Sequence, residues 1–209
     1  MVAVGAIVLL VVVLSGAFGS SRSFALPTRS ALAGLSTRER ILAFANSQLG
    51  YSTNPQHSYC NKFSSYWDSG GSGCPGGLMS EEWCADFAAW AWQKAGVPVS
   101  YGYGPGELNA GAASFYEWGV AHGSWHPVDS DYVARTGDVA VYGLSLAGQP
   151  SAAHVAIVTG DASGRSGPDV INGDGNRTGF SVVETGTDQS RADTGKGRGA
   201  SLSGYVSPA

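Results

Sequence analysis

Trp83-Cys84-Ala85-Asp86-Phe87-Ala88-Ala89-Trp90-Ala91-Trp92 is an apolar stretch with helical spacing that opens at a cysteine. Gly96 and Pro98 follow it, which predicts a helix from Glu82 or Cys84 to Ala95. The chain holds three cysteines, an odd count. Cys60 and Cys74 lie in a stretch rich in Gly, Ser, Asn and Tyr. In an exported chain two such cysteines read as a disulfide, which leaves Cys84 as a free thiol. At a helix start the backbone N–H groups favour the thiolate, the nucleophilic form.

Export is the expectation from the N-terminus. Val2 to Leu14 is apolar apart from Gly5, and Ser23-Phe24-Ala25 is a small-x-small cleavage site. The run is shorter than the roughly 20 apolar residues of a membrane span. Residues 1–25 are therefore expected to be a signal peptide. The lack of Lys or Arg before the run leaves an uncleaved anchor as the alternative. Removing 25 of the 209 residues leaves 184, enough for one domain with a proper core. Loss of Arg22 takes the net charge from −4 to −5. That balance argues against a nucleic-acid partner and against a polybasic membrane-binding or wall-binding tail. The mature chain is expected to be secreted, extracellular or wall-associated, monomeric, and without a membrane span. Sparse charge (13%), 31 Gly and six Trp suit a loop-rich exported protein and not a disordered one.

Outward from the cysteine helix, residues 26–35 read as a linker and 36–209 as the catalytic domain. Ser36-Thr37-Arg38-Glu39 has the form of a capping box. Ile41, Leu42, Phe44, Ala45 and Leu49 give the following helix one apolar face, and Gly50 stops it. Residues 51–80 are expected as an ordered loop around the Cys60–Cys74 bridge. A third helix is expected from Ala110 to about His122, carrying Phe115, Trp118 and Val120. Then the pattern changes to short β-prone runs: 138–142, 153–159, 169–172, 180–185 and 205–207. Ala192 to Ser203 reads as a mobile loop. Helices first and strands after give an α+β domain with a mostly antiparallel sheet.

A cysteine nucleophile needs a base, and the base needs an orienting group. Of the four histidines, His57 lies in the disulfide loop, and His122 and His126 flank a helix end. His154 opens the run Val155-Ala156-Ile157-Val158-Thr159, so a rigid strand would fix it, with small residues Ser151, Ala152 and Ala153 before it. The next strand ends in Ile171-Asn172-Gly173-Asp174-Gly175-Asn176. Alternate residues of a persisting strand share a face, so Asn172 or Asp174 could hold the His154 imidazole in its reactive tautomer. The bland reading of Gly-Asp-Gly-Asn is a turn. Tyr51, Trp83 and Tyr101, with Tyr59 and Trp67, are candidates for a substrate groove, whereas Trp90 and Trp92 read as core.

The cysteine stretch, Arg135-Thr136-Gly137-Asp138-Val139-Ala140-Val141-Tyr142, His154-Val155-Ala156-Ile157-Val158-Thr159 and Ile171-Asn172-Gly173-Asp174 together resemble the CHAP family, cysteine, histidine-dependent amidohydrolases and peptidases. The resemblance covers about residues 36–185. It implies a papain-like fold, related to NlpC/P60 domains, and cleavage of amide bonds in bacterial peptidoglycan by an amidase or a crosslink endopeptidase. Carried over by position, Cys84 is the nucleophile, His154 the general base, and Asn172 the third residue, with Asp174 as its rival. A Glu-Gly-Asn pattern is common there, and this chain reads Asn-Gly-Asp. Some relatives bind calcium before the cysteine, but Tyr51-Ser52-Thr53-Asn54 has no carboxylate, so neither metal nor cofactor is expected. Two other readings stand beside this one: an NlpC/P60-type stem-peptide endopeptidase, and a wall-associated interaction module without turnover.

Overall fold

The computed structural model describes residues 24–163, 167–192 and 199–208. The signal-peptide expectation lies outside the described residues except for Phe24 and Ala25, and so do residues 193–198 of the expected mobile loop. Among the described residues no helix is long and apolar enough to cross a membrane.

The capping box forms. Ser36 accepts from the Glu39 N–H while the Glu39 carboxylate takes the Ser36 N–H, and helix α1 runs Thr37–Asn46. Ile41, Phe44 and Ala45 are its buried face. The disulfide loop has more order than its composition announces. Strand β1 (Cys60–Asn61) pairs with β2 (Met79–Ser80), and helix α2 (Lys62–Trp67) starts where the Asn61 carboxamide caps the N–H groups of Phe63 and Ser64. The expected loop is thus corrected to a strand–helix–strand unit. Cys60 and Cys74 are bonded across it. Helix α3 (Cys84–Ala95) ends on Gly96, whose φ of 99° needs glycine, and α4 (Ala113–Ala121) falls inside the stretch expected for the third helix.

Six strands form one antiparallel sheet: β3 (Trp125–Pro127), β5 (Val139–Tyr142), β6 (His154–Val158), β8 (Val170–Gly175), β9 (Val182–Gly186) and β10 (Leu202–Val206). Their order is β3-β10-β5-β6-β8-β9. A separate ribbon pairs β4 (Val133–Ala134) with β7 (Ala162–Ser163). The fold is α+β with a mostly antiparallel sheet, as a papain-like domain requires. Leu202 and Ser203, expected in a mobile loop, are instead strand residues.

Alternation along the strands sorts their side chains into two cores. Val139, Val141, Val155, Ile157, Ile171 and Val206 face the helices and join Trp83, Phe87, Trp92 and Trp118. Ala140, Tyr142, Ala156, Val158, Val170 and Tyr205 form the other core with Val128 and Ala134. Trp90 and Trp92 are both buried, as core tryptophans should be. The Gly137-Asp138 step locks helix to sheet. Asp138 is fully buried, takes a 2.6 Å ion pair from Arg38 of α1, and accepts from the Tyr132 hydroxyl and the Arg135 N–H. Trp92 of α3 donates to the Gly137 carbonyl. Leu32, in the stretch expected as a linker, packs on the core, and Phe24, in the stretch expected as signal peptide, meets Tyr51 edge-on.

Candidate active site

Cys84 is the first residue of α3 and carries a free, buried thiol. Helix α3 lies across β6 and β8, and a glycine allows it: a Cβ at Gly173 would sit 2.6 Å from the Phe87 side chain. Beneath the helix start the two strands part. The β6–β8 ladder holds only the pairs Ile157↔Ile171 and Val158↔Val170. Val155 lies beyond its end, and its N–H donates to the Cys84 sulfur. The thiol is thereby held one residue from His154.

His154 and Asn172 meet across the same gap. Both are almost fully buried, and His154 Nε2 lies 2.9 Å from Asn172 Oδ1. An amide oxygen only accepts, so Nε2 carries the proton of the neutral ring and Nδ1 carries the lone pair. The Tyr142 ring, directly opposite His154 on β5, stands 6.1 Å from the imidazole.

Asp174 takes a different place. The β8–β9 register shifts between Asn172 and Gly175, and Asp174 has a φ of 58°. The simple alternation that would align it with Asn172 is therefore broken. Its Oδ1 accepts from Ser181 Oγ at 2.6 Å, and Ser181 Oγ accepts in turn from Trp83 Nε1 at 2.8 Å. The residue before the cysteine is thus tied to the carboxylate two positions after Asn172.

The electrostatics run against the thiolate that a helix start favours. Burial pushes the Cys84 thiol up to about 12, aided by the Asp174 and Asp86 charges; the N–H groups of Val155 and Ala85 pull the other way and lose. Asp86, two residues on, is fully buried. Ser64 Oγ donates to it at 2.7 Å, as does the Tyr101 hydroxyl, and burial still pushes this carboxyl up to about 7. Among the described residues no group of three or more His, Cys, Asp or Glu is placed to hold a metal ion.

The expected groove residues need correction. Trp83 is wholly buried between Phe63 and Phe87. Tyr51 is core as well, with its hydroxyl accepting from the Lys62 N–H. Tyr101, Tyr59 and Trp67 are half-buried, and Tyr101 stacks at 4.3 Å on Trp67. His122 satisfies a helix carbonyl, as a histidine near a helix end commonly does, with Nδ1 2.8 Å from the Trp118 oxygen. Sequence reasoning passed over Ser181, which no motif marks, and Asp86, which one signal did mark: a carboxylate inside an apolar helical stretch.

The family model for the CHAP domain matches residues 76–173. That stretch is a CHAP domain. No curated protein and no solved structure matches the chain. The CHAP domain carries Cys84, His154 and Asn172, stops one residue short of Asp174, and implies activity of the peptidoglycan-hydrolase type in general.

Proposed function

We propose that the chain is a secreted cysteine hydrolase that cleaves amide bonds in bacterial peptidoglycan, as an amidase or crosslink endopeptidase. One observation carries the reading: a buried free thiol takes the N–H of Val155, the neighbour of a buried His154 whose ring meets Asn172. In the proposed reaction Cys84 rests as a thiol. When an amide substrate enters, His154 Nδ1 takes its proton, and the sulfur attacks the carbonyl carbon. Asn172 holds Nε2–H and so keeps Nδ1 aimed at its task. The negative charge of Asp174 opposes a lone thiolate and is compensated once the imidazole becomes cationic. The oxyanion is received by the Cys84 N–H at the open helix end. The protonated imidazole then gives its proton to the leaving amine, and water hydrolyses the thioester.

Clearing of a peptidoglycan suspension tests this, with mass spectrometry of the released fragments to identify the bond. Cys84→Ser should abolish clearing and leave the circular dichroism spectrum unchanged; retained clearing rules the mechanism out. Asn172→Ala should slow turnover by at least about tenfold, roughly 1.4 kcal/mol in barrier height, and by more than Asp174→Ala does. The reverse ranking would give the orienting role to Asp174.

A further inference from the structure

We propose that the hollow bounded by Tyr103, Asn109, Tyr116, Glu117, Val120 and Gln149 seats a sugar ring of the glycan strand, an inference that rests on the peptidoglycan reading above. The cavity measures about 590 Å3 and lies between the 101–109 loop, α4 and the turn before β6. Tyr103 is 85% exposed, the most exposed large apolar side chain among the described residues, and Val120 beside it is 55% exposed. Both belong to one concave surface, unlike the isolated apolar residues that ordinary surfaces carry.

The loop that presents Tyr103 is built to hold its shape. It wraps the Glu107 carboxylate, which accepts from the Gly104 N–H at 2.8 Å. A Cβ at Gly102 would lie 2.5 Å from the same carboxylate, and one at Gly106 would lie 2.9 Å from Ala121 of α4. Backbone freedom is surrendered here to keep an aromatic ring in water, which stabilises nothing in the unliganded chain.

The lining chemistry selects the occupant. A pyranose has an apolar C–H face that stacks on an aromatic ring and a rim of hydroxyl and acetamido groups that both donate and accept. Tyr103 and Tyr116 supply rings, Val120 an apolar floor, and the carboxamides of Asn109 and Gln149 donate and accept together. Glu117 is the one charged residue of the lining among the described residues, as suits an uncharged sugar. The walls are a helix and two loops, which offer side chains and not an open row of strand backbone for an extended peptide.

Both loops are tied to the catalytic elements. Tyr101, at the start of one, donates to Asp86 in the first turn of α3, and the Ser145–Ser151 bridge fixes the other three residues before His154. A glycan held between them lies alongside the reacting amide. That placement favours the amide joining glycan to stem peptide over a bond between peptides.

Calorimetric titration of the Cys84→Ser chain with an N-acetylglucosamine tetramer, and separately with peptide-free glycan strands, tests the proposal without turnover. Saturable binding is expected. It should weaken at least tenfold when Tyr103→Ala is added and stay within twofold with Tyr103→Trp. In the active chain, Tyr103→Ala should raise KM for intact peptidoglycan about tenfold with kcat held. No saccharide binding, or undiminished binding by a natively folded Tyr103→Ala chain, overturns the glycan site. Glycan binding in a chain that cuts no peptidoglycan would instead sink the catalytic reading and leave this one standing.

Discussion

Cys84 sits under two opposed influences, and their balance decides how the thiol behaves before substrate arrives. The helix start and the Val155 N–H favour a charged sulfur; burial beside Asp174 disfavours it more strongly. The alkylation rate with iodoacetamide should therefore climb roughly tenfold per pH unit from pH 7 to beyond pH 9, tracking a thiolate fraction still far from saturation. Mass spectrometry of the Cys84 peptide measures it, and a plateau below about pH 8 would reveal a preformed ion pair. Cys84 and His154 could be singled out because each lies at the start of an element whose periodicity is plain. The different surroundings of Asn172 and Asp174 were not legible. Spacing of two implies a shared face only while pairing stays regular, and a left-handed residue with a register shift intervenes.

At the level of elements, the approach of α3 to β8 depends on Gly173. Gly173→Ala should cost roughly 1–3 kcal/mol, since the added carbon meets the Phe87 side chain inside a packed core. Urea unfolding measures this, with Gly160→Ala as the control because nothing stands near its added carbon. Turnover should fall with stability, because the same shift moves Cys84 away from the gap between β6 and β8. Equal midpoints for the two variants would show that the interface yields freely. Helices α1, α3 and α4 were readable from apolar periodicity and their Gly or Ser boundaries. The β1–α2–β2 unit was not. Its strands have two residues each and its helix six, too short for any period to show, and only the capping Asn61 hinted at a helix start.

For the molecule as a whole, acid–base behaviour centres on Asp86, which joins α3 to Ser64 of α2 and to the Tyr101 loop. Its folded-state pKa, pushed up to about 7, exceeds the ordinary carboxyl value, and Glu81 adds to the rise. The native state thus holds this proton more tightly than the unfolded chain does. Its contribution is complete below about pH 4 and is lost as pH rises through about 7. The melting temperature should fall between about pH 5 and pH 8, and Asp86→Asn should flatten that slope. A slope unchanged by Asp86→Asn would place the effect elsewhere. The α+β class was legible because helical patterns precede strand patterns along the chain. Strand order was hidden, because pairing between distant segments leaves no local mark. That hidden order has a temporal consequence. Strand β10 stands inside the sheet, flanked by β3 and β5, although its residues 202–206 follow every other strand in the chain. During biosynthesis β3 must wait, apart from the β5-β6-β8-β9 group, until those residues have left the ribosome, and only then can the last-made strand join the two parts into one sheet.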